Sequence, residues 1–190
     1  MKFIVWPILM ATVPVSWRVP VPVVPFTLQF LFTMLAGVLL GGRLGATSVS
    51  LYLLMGLAGL PVFAEGGGIG YILKPSFGYL IGFCVGTYVT GVIAHMVAQP
   101  SFKWLLLASL TGLGIVYVLG LIYYYIICNY VIGAPIAVGP LFLYGFLLSV
   151  PGDIAICFLG ASLGKRLIPD LPAQAAAAPH PTPISQETRA

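Results

Sequence analysis

Hydrophobic residues in this chain come in long continuous runs, and proline, glycine and isolated charges separate one run from the next. Such runs predict helices, because a half-buried strand would alternate apolar and polar residues. We expect six helices, at about residues 3–19, 26–42, 44–60, 78–98, 103–128 and 151–168. The stretch 134–150 is also apolar but leads directly into Pro151, which suits a first helical turn because its missing N–H needs no partner there. We therefore begin the sixth helix at Pro151 and expect 134–150 to form a re-entrant or interfacial helix.

The composition places these helices in a membrane. Of the 190 residues, 60% are hydrophobic and 6% are charged, and the mean hydropathy is +1.09. A soluble domain of this size carries far more charged surface. A bilayer core about 30 Å thick needs about 20 apolar residues per crossing. Residues 1–168 are therefore predicted to form an all-α membrane protein with six transmembrane helices in one bundle.

The basic residues predict an orientation, because Lys and Arg accumulate on the cytoplasmic side of membrane proteins. A cytoplasmic N-terminus leaves only Arg18 and Lys74 outside. It places five basic residues inside: Lys2, Arg43, Lys103, Lys165 and Arg166. We therefore expect both termini on the cytoplasmic side of a prokaryotic inner or plasma membrane. Residues 169–190, rich in Pro and Ala without an apolar period, are expected to form a disordered cytoplasmic tail.

Three stretches on the predicted outer side indicate a pocket: residues 17–29, 60–83 and 135–151. Non-helical backbone at membrane depth persists only where it is buried in protein or lines a cavity. Three such stretches at one face therefore predict an outward-facing ligand pocket. The second contains Gly66, Gly67, Gly68 and Gly70. This glycine run is either a flexible hinge or backbone brought close to a ligand, since glycine tolerates positive φ and leaves room for contact.

Asp153 is unusual among the four acidic residues of the chain, because it is embedded in an apolar run. It is the third residue of the helix that we begin at Pro151, so its carboxylate is expected near the first unpaired N–H groups and the positive end of the helix dipole. Helix-end stabilisation is one interpretation. The other is a ligand-binding acid, because a charge at a transmembrane helix centre costs about 2.5–3.5 kcal/mol on translocon scales and less nearer the interface.

Sequence signals of other function classes are weak. The basic residues are scattered singly and form no basic face, which argues against nucleic-acid binding. The glycine run lacks the third glycine of a nucleotide fingerprint, and residues 160–166 (GASLGKR) lack the Ser or Thr of a phosphate loop. With no catalytic triad, zinc spacing or carboxylate pair, we expect no enzyme, metal or cofactor. Glycine at every fourth position over residues 37–45 and 78–86 predicts close helix packing within the chain, with partner docking as the alternative.

Three segments together resemble a known family. They are residues 24–45 (VPFTLQFLFTMLAGVLLGGRLG), 51–83 (LYLLMGLAGLPVFAEGGGIGYILKPSFGYLIGF) and 149–153 (SVPGD). In this order they are similar to the biotin-specific substrate-binding (S) subunit of energy-coupling factor transporters, the BioY family. The resemblance implies a six-helix subunit that binds biotin at its outer side. It also implies partnership with a transmembrane coupling protein and two cytoplasmic ATPase subunits.

The resemblance further implies that Asp153 hydrogen-bonds the biotin head group, whose ureido ring offers two N–H donors to one carboxylate. Members of the family usually carry Lys three residues after this acid, where this chain has Ile156. We expect Lys74, in the outer loop, to replace that lysine as the anchor of the biotin carboxylate. The remaining candidate binding residues are Gln29, Gly68, Gly70 and Tyr71. A structural or assembly membrane protein with a degenerate pocket is the alternative function.

Overall fold

The computed structural model describes residues 29–63, 66–97, 99–133, 137–147 and 149–168. Within these ranges the chain is helical and forms no strand, and one isolated bridge pairs Phe63 with Gly66. The predicted first helix (3–19), Arg18 and the predicted tail (169–190) lie outside the described residues.

Six α-helices make up the described part, and five of them match predicted helices. They are α1 Gln29–Leu40, α2 Gly42–Leu57, α3 Phe77–Ala94, α4 Phe102–Ile126, α5 Val138–Phe142 and α6 Val150–Leu167. Wider π-type turns extend α4 through Ile127–Ile132 and α5 through Leu143–Leu147. The prediction of a helix within 134–150 is therefore confirmed, while its re-entrant or interfacial placement stays a prediction.

The predicted non-helical stretch 60–83 is wrong over its second half. A turn of 3-10 helix forms at Ile69–Leu73, and α3 already begins at Phe77. The physical reason is burial, because Phe77, Tyr79 and Leu80 at the start of α3 all enter the core and a helix pairs their backbone there. Gln29 likewise begins α1 and does not end a non-helical stretch.

Within the described residues, three helical segments are long and apolar enough to cross a bilayer: Phe77–Ala94, Phe102–Ile132 and Gly145–Leu167. Gln29–Leu40 is apolar but shorter. Length and composition therefore support a membrane protein with several helical crossings.

The chain reverses direction at Gly41, between α1 and α2. Gly41 has a φ of 83°, in the left-handed region where glycine is favoured. A Cβ added to Gly45 would lie 2.9 Å from the Ala36 carbonyl oxygen, although a continuous helix would separate residues nine apart by about 13 Å. Helices α1 and α2 are therefore antiparallel, and α3 and α4 pair in the same way through Thr90 and Ala108.

This alternation gives the bundle two chemically different ends. At one end α1, α3 and α6 begin and α2 and α4 finish, and we call it the Asp153 end. The opposite end, which we call the basic end, carries all the Lys and Arg of the described residues except Lys74. These are Arg43, Lys103, Lys165 and Arg166.

Glycines bring the helices into close contact. A Cβ at Gly86 would lie 2.9 Å from the Gly112 carbonyl oxygen, and one at Gly82 would lie 2.9 Å from Val116 Cα. Both partners belong to α4, so this part of the glycine pattern serves packing within the chain, as predicted. Buried Thr87 adds a hydrogen bond from its hydroxyl to the Thr33 carbonyl at 3.2 Å, which joins α3 to α1.

Candidate ligand site

Asp153 lies in the first turn of α6, and its backbone N–H donates to the Ser149 carbonyl at 3.1 Å. The carboxylate is only partly buried, and its Oδ2 accepts a hydrogen bond from the Tyr117 hydroxyl of α4. The prediction placed Asp153 as the third residue of the helix, and it is the fourth because α6 begins at Val150. The acid that had no evident partner in the sequence is therefore bound by a tyrosine from another helix.

Aromatic rings fix the position of Tyr117, whose side chain is only 4% exposed. Tyr79 meets it edge-on at 6.2 Å between ring centroids and an interplanar angle of 89°. Phe146 meets it edge-on at 4.9 Å and 78°. Such edge-to-face contacts hold a ring in a specific orientation. The Tyr117 hydroxyl therefore reaches Asp153 from a rigid frame.

Ile156 occupies the position at which the resemblance predicts lysine. Its side chain is buried in an apolar cluster with Phe30, Leu31 and Cys157. This position therefore supplies no cation to the neighbourhood of Asp153.

A second polar contact joins α1, α2 and the following loop. Gln29 Nε2 donates to the Tyr52 hydroxyl, and that hydroxyl donates to the Val62 carbonyl at 2.9 Å. Tyr52 is almost fully buried. The side chain of Gln29 is therefore tied to the base of the loop through Tyr52.

The glycine run turns this loop back onto α2. Gly66 and Gly68 have φ values of 108° and 104°, and Gly68 N donates to the Gly56 carbonyl at 2.7 Å. Gly67 lies so close to the Leu60 carbonyl that a Cβ would overlap it. Positive φ and tight backbone packing thus account for these three glycines within the chain itself. Gly70 is exposed, and open space surrounds the position of its missing Cβ.

Tyr71 and Lys74 are neighbours in space. The Tyr71 ring is buried, with centroids 4.6 Å from Phe63 and 6.5 Å from Phe77. The Lys74 ammonium nitrogen lies 5.1 Å from the centroid of the Tyr71 ring, within the range of a cation–π contact. Tyr71 therefore anchors the loop to the core and also holds the lysine over its ring.

Helix α4 links this loop to Asp153. The Tyr123 hydroxyl donates to the Ile72 carbonyl in the loop, and Tyr117 donates to Asp153. The two tyrosines are six residues apart on one helix, about 9 Å along its axis. Five predicted site residues (Gln29, Gly68, Tyr71, Lys74 and Asp153) therefore lie at the Asp153 end, each held by a contact described above.

Three tyrosines at this end were not predicted from the sequence: Tyr52, Tyr117 and Tyr123. Each places a hydroxyl inside an apolar helix, which is the signal that could have drawn attention to them. The signal is weak because the chain has ten tyrosines, and sequence spacing does not show which of them point toward Asp153.

An apolar groove of about 270 Å³ also lies at the Asp153 end, between α4 and α5. Its lining consists of Leu121, Ile122, Tyr125, Ile126, Val138, Leu141 and Phe142. Ile122, Val138 and Phe142 are largely exposed, and neither Asp153 nor Tyr117 lines the groove. The groove offers almost no polar surface to the polar ends of a ligand, so we locate the candidate site at Asp153.

Comparisons with known proteins agree on one family. The model of the BioY family matches residues 2–173. A probable biotin transporter BioY of Lysinibacillus sphaericus is 43% identical over 150 residues, covering 79% of this chain and 76% of that protein. The biotin transporter BioY of Rhizobium etli is 32% identical over 163 residues, covering 80% of this chain and 83% of that protein.

Among solved structures, the S-component for biotin from an ECF-type ABC transporter matches with a TM-score of 0.75. The match covers 87% of this chain and 88% of that chain at 24% identity. At this identity the likeness shows the fold. Since the family model matches residues 2–173 and two transporters named BioY are 43% and 32% identical over most of their length, the chain belongs to the BioY family.

Proposed function

We propose that this chain is the biotin-binding S component of an energy-coupling factor importer. The observation that carries the proposal is the Asp153 carboxylate, held by Tyr117 within an apolar helix of a BioY-family chain. Acids in membrane helices are costly and mark ligand or ion sites. The names of the relatives, biotin transporters, support biotin as the ligand.

In this proposal Asp153 accepts the N–H donors of the ureido ring. A carboxylate offers about four lone-pair positions, and Tyr117 uses one of them. Hydrogen bonds to an ionised acceptor are roughly twice as strong as neutral ones. Asp153 therefore supplies both affinity and selectivity for a ring with adjacent N–H groups.

Lys74 is proposed to bind the carboxylate at the other end of biotin. Its ammonium lies over Tyr71 in the loop, and it is the one Lys or Arg of the described residues outside the basic end. Tyr123 of α4 donates a hydrogen bond to the loop that carries Lys74, and Tyr117 of the same helix donates one to Asp153. Gln29, Gly68, Gly70 and Tyr71 are proposed as further contacts in the same pocket.

The proposed membrane arrangement has six crossings, with the Asp153 end outside and both termini in the cytoplasm of a prokaryote. The separation of charges between the two ends supports it, since four basic residues lie at the basic end and basic residues favour the cytoplasmic side. The pocket then opens outward, where the vitamin is captured.

Uptake in this proposal requires partners: a transmembrane coupling protein and two ATPase subunits. The sequence carries no phosphate-binding loop of its own, and the solved structure with the same fold is a component of an ECF-type ABC transporter. The chain would capture biotin and the ATPases would drive its release inward.

Titration of the purified protein in detergent with labelled biotin tests the proposal. We expect a Kd between nanomolar and micromolar, which corresponds to about −12 to −8 kcal/mol. Lipoate, a carboxylic acid without a ureido ring, is the control ligand and should not compete. Absence of biotin binding would instead favour the structural or assembly protein with a degenerate pocket.

A further inference from the structure

We propose that Tyr117 is a positioning residue that sets the orientation of the Asp153 carboxylate for the ligand. The inference deepens the proposed biotin-binding function and rests on it. Its basis is the hydrogen bond from the Tyr117 hydroxyl to Asp153 Oδ2, together with the packing that holds the Tyr117 ring.

The two partners differ in how firmly they are held. Tyr117 is buried, its ring packs against Tyr79 at the start of α3, and its neighbour Val116 lies against Gly82. Asp153 is in the first turn of α6 and is partly exposed. An aspartate side chain on its own has several rotamers. The fixed phenol therefore selects one of them.

The hydrogen bond also decides which oxygen the ligand meets. Tyr117 engages Oδ2, which leaves both lone pairs of Oδ1 and one of Oδ2 for incoming N–H donors. Without the phenol the carboxylate could rotate, and a ligand would have to order it on binding. Ordering of that kind reduces affinity, because the binding free energy must offset the lost rotamer freedom.

Thr87 of α3 provides a comparison outside this frame. It is fully buried, and its hydroxyl donates to the Thr33 carbonyl at 3.2 Å, a contact that involves no carboxylate. Thr87→Val therefore tests the loss of a buried hydrogen bond without changing the rings that hold Tyr117.

The experiment compares Tyr117→Phe with Thr87→Val in biotin titrations of the detergent-purified protein. Tyr117→Phe should weaken biotin by about threefold to tenfold, because the ligand must then order a carboxylate that the phenol already holds in the unmodified protein. It should weaken biotin methyl ester by the same factor, because the effect acts at the ureido end. Thr87→Val should keep biotin affinity within about twofold. The melting temperatures of both variants report whether the fold is retained.

A second comparison shows whether Tyr117 acts through Asp153. In an Asp153→Ala background, Tyr117→Phe should change biotin affinity by less than about twofold, since residues that act as a unit are not additive. If that background binds too weakly to measure, biotin methylated on one ureido nitrogen takes its place, and Tyr117→Phe should then cost clearly less than it does for biotin.

Three results would overturn the inference. One is unchanged biotin affinity in a folded Tyr117→Phe protein. Another is an equal loss of affinity on Tyr117→Phe in the Asp153 and Asp153→Ala backgrounds or, where methylated biotin replaces that background, an equal loss for biotin and methylated biotin. Failure of the unmodified protein to bind biotin would overturn the proposed function, and the inference with it.

Discussion

An acid within an apolar helix needs a hydrogen-bond donor, because an unpaired charge at apolar depth is costly. For Asp153 that donor is the phenol of Tyr117. The side chain of the neighbouring Ile156 is buried in the apolar core and supplies no donor. In the proposed site, the end around Asp153 therefore combines one carboxylate with aromatic rings, and a bound ligand would supply the further donors.

Asp153→Asn should keep the fold and weaken biotin by about ten-fold to a hundred-fold, since a hydrogen bond to a charged group is worth about 1.5–3 kcal/mol. The amide is a weaker acceptor and presents a donor to the ureido N–H groups. Equilibrium titration measures the loss, and thermal unfolding in detergent checks the fold. Unchanged affinity would mean that Asp153 only stabilises the end of α6.

Lys74→Ala should weaken biotin by about threefold to tenfold, as expected for loss of a partly exposed charge pair. A biotin amide, which lacks the carboxylate, should bind nearly as well as before. Lys103→Ala, at the basic end, is the matched control and should leave both ligands unaffected. Equal loss for both ligands would indicate a general defect of the loop, and no loss would show that the carboxylate is bound by other groups.

At the level of helices, the positions of glycines determine how closely α3 and α4 approach. Gly82 and Gly86 of α3 face Val116 and Gly112 of α4 at distances that leave no room for a methyl group. Tyr117 directly follows Val116, so this contact also sets where its phenol lies. Helix packing and the hydrogen bond from Tyr117 to Asp153 therefore depend on one interface.

Gly86→Ala should lower the melting temperature in detergent by about 2–12 °C, because overpacking against backbone costs about 1–3 kcal/mol. Gly114→Ala, on α4, is the matched control, since its added Cβ would meet nothing within 4 Å. That variant should be unchanged or more stable, because alanine is favoured over glycine in helices by about 0.8–1.0 kcal/mol. Similar shifts for both variants would contradict the packing account.

At the level of the whole molecule, the two ends of the bundle have different chemistry. Within the described residues, the basic end carries four Lys and Arg residues, and the Asp153 end carries Asp153, Lys74 and the glycine loop. This division supports the proposed orientation, because basic residues favour the cytoplasmic side.

Cysteines introduced at Ser76 and Ser101 should react from opposite sides of the membrane. Ser76 precedes α3 at the Asp153 end, and Ser101 caps α4 at the basic end. The native thiols Cys84, Cys128 and Cys157 are free, so they are first replaced by alanine. An impermeant maleimide applied to intact cells should label only the cysteine at 76. Labelling of both sites would overturn the proposed topology.

The sequence alone determined the helices and singled out one acid for the proposed site. Continuous apolar runs of bilayer length admit little besides membrane helices, so five of the six predicted helices match the described structure. The remaining predicted helix, 3–19, lies outside the described residues. Asp153 was recognisable because a charge within an apolar run is costly wherever the run packs.

Tertiary structure alone decided which side chains meet. Tyr117 is 36 residues from Asp153 in sequence, and no local period relates them. From the sequence, the glycine loop was either a hinge or a ligand contact. In the structure, its positive φ values turn the chain back onto α2. Local sequence patterns indicate burial and backbone preference. Contacts between distant residues depend instead on how the helices cross, and the close packing of whole helix interfaces determines that crossing.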